Sequence, residues 1–141
     1  MSFLKELFKT KSVKKGLIFI IEDNVAYAKT ISEYLSANFF EVKEVKNFTV
    51  GETCLLEIDK NPDIIIIDYF LDSKYSDAET GLEIVKQIRK KKPKIPIILL
   101  SSQQEVQVIK DAITKYNCRY IKKDKDFLTK VAEIIKEIYK H

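Results

Sequence analysis

The sequence predicts an α/β fold, a doubly wound parallel sheet of five strands with helices on both faces. Three observations predict it. Residues 17–21, 64–67 and 97–100 are apolar at every position, as strands buried on both sides of a parallel sheet must be. Stretches with helical apolar spacing fill the gaps between these runs. Each run also stops abruptly at residues that carry chemistry, and the carboxyl ends of parallel strands are where open α/β sheets keep their ligand sites.

The elements follow in order. Leu17, Ile18, Phe19, Ile20 and Ile21 form the first strand and deliver Glu22 and Asp23 at its end. Tyr27, Ile31, Tyr34 and Leu35 mark the first helix, and the second strand is placed around Phe40 to Val45. Cys54, Leu55 and Ile58 mark the second helix. The third strand, Ile64 to Ile67, runs directly into Asp68. Leu82, Val85 and Ile88 line the third helix, and the fourth strand, Ile97 to Leu100, ends in Ser101 and Ser102. Val106, Ile109, Ile113 and Tyr116 suggest the fourth helix. The short run Tyr120, Ile121 ends in Lys122 and Lys123, and Phe127, Leu128, Val131, Ile134, Ile135 and Ile138 form the apolar stripe of the fifth helix. Right-handed crossovers between such units allow the strand order 2-1-3-4-5, which brings strands one and three together at the switch point.

Four strand ends therefore deliver acids, hydroxyls and an amine to one edge of the sheet. Three carboxylates gathered there repel one another unless a hard cation sits among them, and Mg²⁺ accepts carboxylate oxygens, waters and phosphate oxygens. With the metal, a lysine ammonium and a serine hydroxyl at hand, the chemistry suited to this edge is phosphoryl transfer to a carboxylate, with Asp68 as nucleophile. An Asp-nucleophile hydrolase of the haloacid dehalogenase kind needs Asp-x-Asp after the strand. Here the second position is Phe70, and that reading fails on its own motif.

Composition limits the alternatives. The chain has 141 residues, 45% hydrophobic and 33% charged, which fits one soluble globular domain. Its apolar runs are far short of a membrane span, and its start lacks the pattern of a secretory signal, so a cytoplasmic protein is expected. Cys54 and Cys118 have no metal-ligand or redox spacing and read as reduced packing residues. Residues 1–16 hold Lys5, Lys9, Lys11, Lys14 and Lys15 against Glu6 alone, which equals the whole formal charge of +4. The remaining body is neutral, and direct nucleic-acid binding is not expected of it. Arg89, Lys90, Lys91, Lys92 and Lys94 read as a solvated cap on the third helix, where cations favour the negative end of the dipole. Phe3, Leu4, Leu7 and Phe8 line one side of a short basic segment that could dock on the domain, on another chain or weakly on an anionic surface. The lone histidine, His141, reads as a terminal residue without a phosphorelay role.

The set Glu22 and Asp23 after the first strand, Asp68 after the third, Ser101 after the fourth and Lys123 after the fifth resembles the receiver domain of two-component response regulators, in particular the stand-alone chemotaxis regulators. The resemblance covers roughly residues 17 to 139, and Gly81-Leu82-Glu83 and Ile95-Pro96-Ile97 fit it as well. It implies a flavodoxin-like (βα)5 sheet and a division into a basic extension, residues 1–16, and a receiver domain, residues 17–141. It also implies that Glu22, Asp23, Asp68 and the backbone carbonyl of Phe70 serve Mg²⁺, Glu22 through water, while Ser101 and Lys123 hold the phosphoryl oxygens. Tyr120, three residues before the lysine, takes the place of the switch aromatic. The implied function is a phosphorylation-activated switch that accepts its phosphoryl group on Asp68 from a histidine kinase or phosphotransfer protein. Such a switch is no enzyme beyond promoting its own phosphotransfer and dephosphorylation. A downstream protein would dock on the fourth helix, fifth strand and fifth helix, and homodimerisation is left open. The alternative is an adaptor with the same fold that works without phosphorylation.

Three departures from the family pattern stand out. Glu22 replaces the usual aspartate. Asp124 follows Lys123 where the family has a cis proline, which leaves the isomer of that bond open. The segment from Asp68 to Gly81 is about five residues longer than usual and polar, as exposed functional loops are. With Phe70 it could shield the site from water, whereas Gln103 could orient one; slow hydrolysis of the phosphorylated form is the expectation.

Overall fold

In the computed structural model, residues 14–69, 81–102 and 106–140 are described. The elements are β1 (Leu17–Ile21), α1 (Val25–Asn38), β2 (Glu44–Phe48), α2 (Gly51–Leu56), a 3₁₀ turn (Ile58–Lys60), β3 (Ile64–Asp68), α3 (Gly81–Lys91), β4 (Ile97–Ser101), α4 (Val106–Thr114), β5 (Arg119–Lys122) and α5 (Phe127–Tyr139). All neighbouring strands are parallel, in the order β2-β1-β3-β4-β5. This is the five-stranded flavodoxin-like α/β sheet that the apolar runs predict.

Because strand side chains alternate between faces, each apolar run feeds two cores. Phe19, Ile21, Ile65, Ile67 and Leu99 pack with Cys54, Leu55, Ile84, Val85 and Ile88 on the α2–α3 face. Ile18, Ile20, Ile64, Ile66, Ile98 and Leu100 pack with Ile31 and Leu35 of α1 and Val131 and Ile135 of α5 on the other. The β-branched isoleucines suit a strand pressed from both sides. Cys54 and Cys118 are free thiols in this packing, and burial pushes their pKa values up to about 12 and about 11.

Three local expectations are corrected. The second strand is Glu44–Phe48, not Phe40 to Val45: Phe39 caps α1 through its N–H to Leu35 O, and Phe40 points out at 83% exposure. On α4 the helical spacing holds, but Val106 and Ile113 are exposed and Ala112 is the buried residue. Arg89 is no solvated cap. Its guanidinium donates to the carbonyls of Ile95 at 2.6 Å and Asn117 at 3.2 Å and also to that of Tyr116, so it fastens the end of α3 to the turns before β4 and β5.

The amino end of the sheet closes on a buried carboxylate. Asp63 accepts the N–H groups of Lys15 at 3.0 Å and Gly16 at 2.7 Å and the hydroxyl of Tyr139 at 2.7 Å, joining the approach to β1 to the end of α5. Gly16 sits at φ 77°, in left-handed backbone where glycine carries no Cβ penalty. Among the described residues no helix is long and apolar enough to cross a membrane.

Candidate functional site

At the opposite end, the backbone ladders run past the strands and fix the residues just beyond them. Glu22 N–H bonds Phe48 O at 2.9 Å, Tyr69 N–H bonds Leu100 O at 2.8 Å, and Lys123 N–H bonds Ser101 O at 2.8 Å. Asn24 caps α1 by accepting Tyr27 N–H at 3.1 Å, so the turn carrying Glu22 and Asp23 is held from both sides. Gly81 opens α3 against the same backbone. Its N–H bonds Tyr69 O at 2.6 Å, and a Cβ there would lie 2.3 Å from Asp68 O, so only glycine fits without moving the strand end.

These constraints bring Glu22, Asp23 and Asp68 together. Each offers a carboxylate oxygen within 4.8 Å of the others, with Glu22 and Asp68 buried and Asp23 half-buried. Such a set of hard oxygen donors fits Mg²⁺ better than a softer metal. Lys123 Nζ lies 2.7 Å from Glu22 Oε1 and 3.2 Å from Asp68 Oδ2. It reaches both although the Lys123–Asp124 bond is trans, so aiming the lysine requires no cis bond. Burial first, and then the Asp68 carboxyl, raise the Glu22 pKa against the opposing pull of Lys123. For Lys123, burial works to lower the pKa, but Glu22 and Asp68 together leave it raised.

Strand alternation separates the remaining residues. Asp68 continues the parity of Ile64 and Ile66, which face α1 and α5, whereas Ser101 continues that of Ile97 and Leu99 on the other face. Cross-strand register pairs Asp68 with Leu100, one residue before Ser101, which is buried. Tyr120 is half-buried, with its hydroxyl 3.5 Å from Ser101 O. The edge thus gathers Glu22, Asp23, Asp68, Lys123, Ser101 and Tyr120 as the sequence suggests. Phe70, Gln103 and the segment 72–80 lie outside the described residues. One neighbour is legible in the sequence only as a position on the first helix: the Tyr27 ring lies with its centroid 4.0 Å from Lys123 Nζ. A tyrosine on an amphipathic helix carries no sequence signal of such a contact.

Residues 18–135 match the family model described as the response regulator receiver domain. A cyclic di-GMP phosphodiesterase of Thermotoga maritima is 24% identical over 106 residues, which cover 75% of this chain and 26% of that relative. The chain therefore spans about a quarter of that relative's length. Among solved structures, the apo receiver domain of nitrogen regulatory protein C aligns with a TM-score of 0.72 at 20% identity, covering 92% of this chain and 100% of that one. A CheY-like receiver domain protein from Methanospirillum hungatei gives 0.67 at 23% identity, covering 92% and 98%. A complex of CheX and CheY with beryllofluoride and Mg²⁺ from Borrelia burgdorferi gives 0.72 at 18% identity, covering 89% and 90%. At these identities the solved structures speak to the fold.

Proposed function

The chain belongs to the response regulator receiver domain family, and we propose that it is a phosphorylation-activated switch with Asp68 as its phosphoacceptor. The observation that carries this reading is the buried carboxylate group with Lys123 bridging Glu22 and Asp68. An Asp68 Oδ forms the new bond to phosphorus as the phosphorus–nitrogen bond of a phosphohistidine breaks, and the departing imidazole takes up a proton. Lys123, already within ion-pair distance of Asp68, turns its ammonium to a phosphoryl oxygen, and Ser101 approaches another from the opposite face of the sheet. Glu22, Asp23 and Asp68, together with the Phe70 carbonyl, would hold Mg²⁺, which when bound offsets the negative charge gathered on the carboxylates and the phosphoryl group.

The readout is a changed surface. Tyr120 contacts the Ser101 backbone, so a shift of Ser101 toward the phosphoryl group changes what the tyrosine rests against, a population shift of a few kcal/mol. Val106 and Ile113 are exposed apolar residues on α4, which supports a downstream protein partner on the α4, β5 and α5 face. The upstream partner is a histidine kinase or phosphotransfer protein. We also propose that the receiver begins at residue 17, after a basic extension.

Incubation with Mg²⁺ and acetyl phosphate is expected to add one acid-labile phosphoryl group, and Asp68→Asn to prevent it. Unchanged labelling of Asp68→Asn overturns the assignment. Absence of labelling in the wild type, together with an unchanged Tyr120 under beryllofluoride, favours the phosphorylation-independent adaptor.

A further inference from the structure

We infer that Tyr27 is a positioning residue for Lys123, its aromatic face holding the ammonium in line with Asp68; this rests on the reading of Asp68 as phosphoacceptor. Lys123 Nζ is bounded on three sides, by Glu22 Oε1 at 2.7 Å, Asp68 Oδ2 at 3.2 Å and the Tyr27 ring centroid at 4.0 Å. That separation is well inside the range over which a cation is attracted to the negative face of a ring. The ring is packed on a second side and its backbone is anchored. Asn24 caps the first turn of α1 at Tyr27 N–H, and Phe127 of α5 packs on the ring at a centroid distance of 5.4 Å.

The need for such a third contact arises from the other two. The ammonium sits closer to Glu22 than to Asp68, so ion pairing alone favours the side away from the phosphoryl group. Charge attraction to a π face depends little on how the N–H bonds are turned. Lys123 can therefore rotate from Glu22 to a phosphoryl oxygen without losing the ring, whereas each carboxylate contact is directional and must be broken. The ring also excludes water from one side of the ammonium, which strengthens its remaining charge interactions.

The test replaces Tyr27 by Phe, by Leu and by a series of increasingly fluorinated phenylalanines, which weaken the ring's negative face at nearly constant size. Phosphorylation by acetyl phosphate in saturating Mg²⁺ is expected to proceed at close to the wild-type rate in Tyr27→Phe. It should fall by roughly threefold to tenfold in Tyr27→Leu, and decline stepwise with fluorination. In metal-free protein, the Lys123 ε-methylene protons should show an upfield ring-current displacement that Tyr27→Phe keeps and Tyr27→Leu loses. A folded Tyr27→Leu with the wild-type rate, or a rate flat across the fluorinated series, overturns the inference while leaving Asp68 in place. The fluorinated series decides the matter if Tyr27→Leu does not fold. A wild type that takes no label overturns the Asp68 reading and this inference with it.

Discussion

Asp63 immediately precedes β3 and Asp68 ends it, and the two are almost equally buried, at 6% and 7% exposure, yet their surroundings differ in kind. Asp63, at the amino end of β3, is held by two backbone N–H groups and the Tyr139 hydroxyl. Those donors are uncharged and fixed by the fold, so the carboxylate acts as a permanent tie between the start of β1 and the end of α5. Asp68, at the carboxyl end, meets two other carboxylates and shares one lysine with Glu22. Neutral, geometrically fixed donors make a buried anion structural; like charges sharing one cation make a buried group of the kind found at functional sites.

The sharpest way to break this contrast is to remove the tie. Asp63→Ala strands the buried Gly16 N–H, the part-buried Lys15 N–H and the buried Tyr139 hydroxyl, and should lower unfolding free energy by about 3–5 kcal/mol in urea titrations. A loss under about 1 kcal/mol would put Asp63 on a par with an exposed ion pair and remove its role as a tie.

At the other end, Lys123→Met leaves Glu22 and Asp68 without their shared cation. Because the lysine is not wholly buried, the expected cost is about 2–3 kcal/mol, below that of a fully buried pair. Added Mg²⁺ should restore part of that loss and raise the melting temperature of the variant more than that of the wild type. No such treatment should rescue Asp63→Ala, and equal Mg²⁺ responses in both variants would erase the distinction.

Tyr139→Phe removes one donor to Asp63 and should cost about 1.5 kcal/mol at pH 7. Burial, then Asp63, hold the Tyr139 phenol above its ordinary value of 10.0. Between the unfolded and folded values the unfolded chain releases the proton first, so this contribution is complete below pH 10 and lost as pH rises toward the folded value. The difference between wild type and Tyr139→Phe should therefore shrink above pH 10, as alkaline urea midpoints would show. The smallest effect has the opposite sign. Asp68→Asn removes one charge from a crowded group and should raise stability by about 0.5–1 kcal/mol in metal-free buffer, opposite in sign to the effect expected of Asp63→Ala.

The carboxyl end of β3 is far more legible in the sequence than the tied amino end. Asp68 follows four isoleucines, and a charge abutting a doubly buried strand needs a chemical reason. Asp63 precedes the same four residues, but Asn61-Pro62 makes it look like part of a turn; only the rule that a strand's first residue is still buried could have singled it out. Tyr27 is legible as a helix position and illegible as a neighbour of Lys123, because the contact joins the first and last βα units. On α4 the period establishes the helix, but not which side the sheet covers, since Val108 and Ala112 meet the core while Val106 and Ile113 do not. The displacement of β2 has a comparable cause. Aromatic residues at 39 and 40 favour a strand locally, and the helix cap at Phe39 overrides them.

The bond from Gly81 N–H to Tyr69 O has a consequence for engineering. It holds Tyr69, which follows Asp68, against Gly81, which opens α3. A chain closed at its base can change length without transmitting the change, because closure entropy grows only logarithmically, by about 0.6 kcal/mol for each doubling. A change in the number of residues between Tyr69 and Gly81 should therefore leave the sheet and Gly81 in registration, provided that the glycine itself is retained.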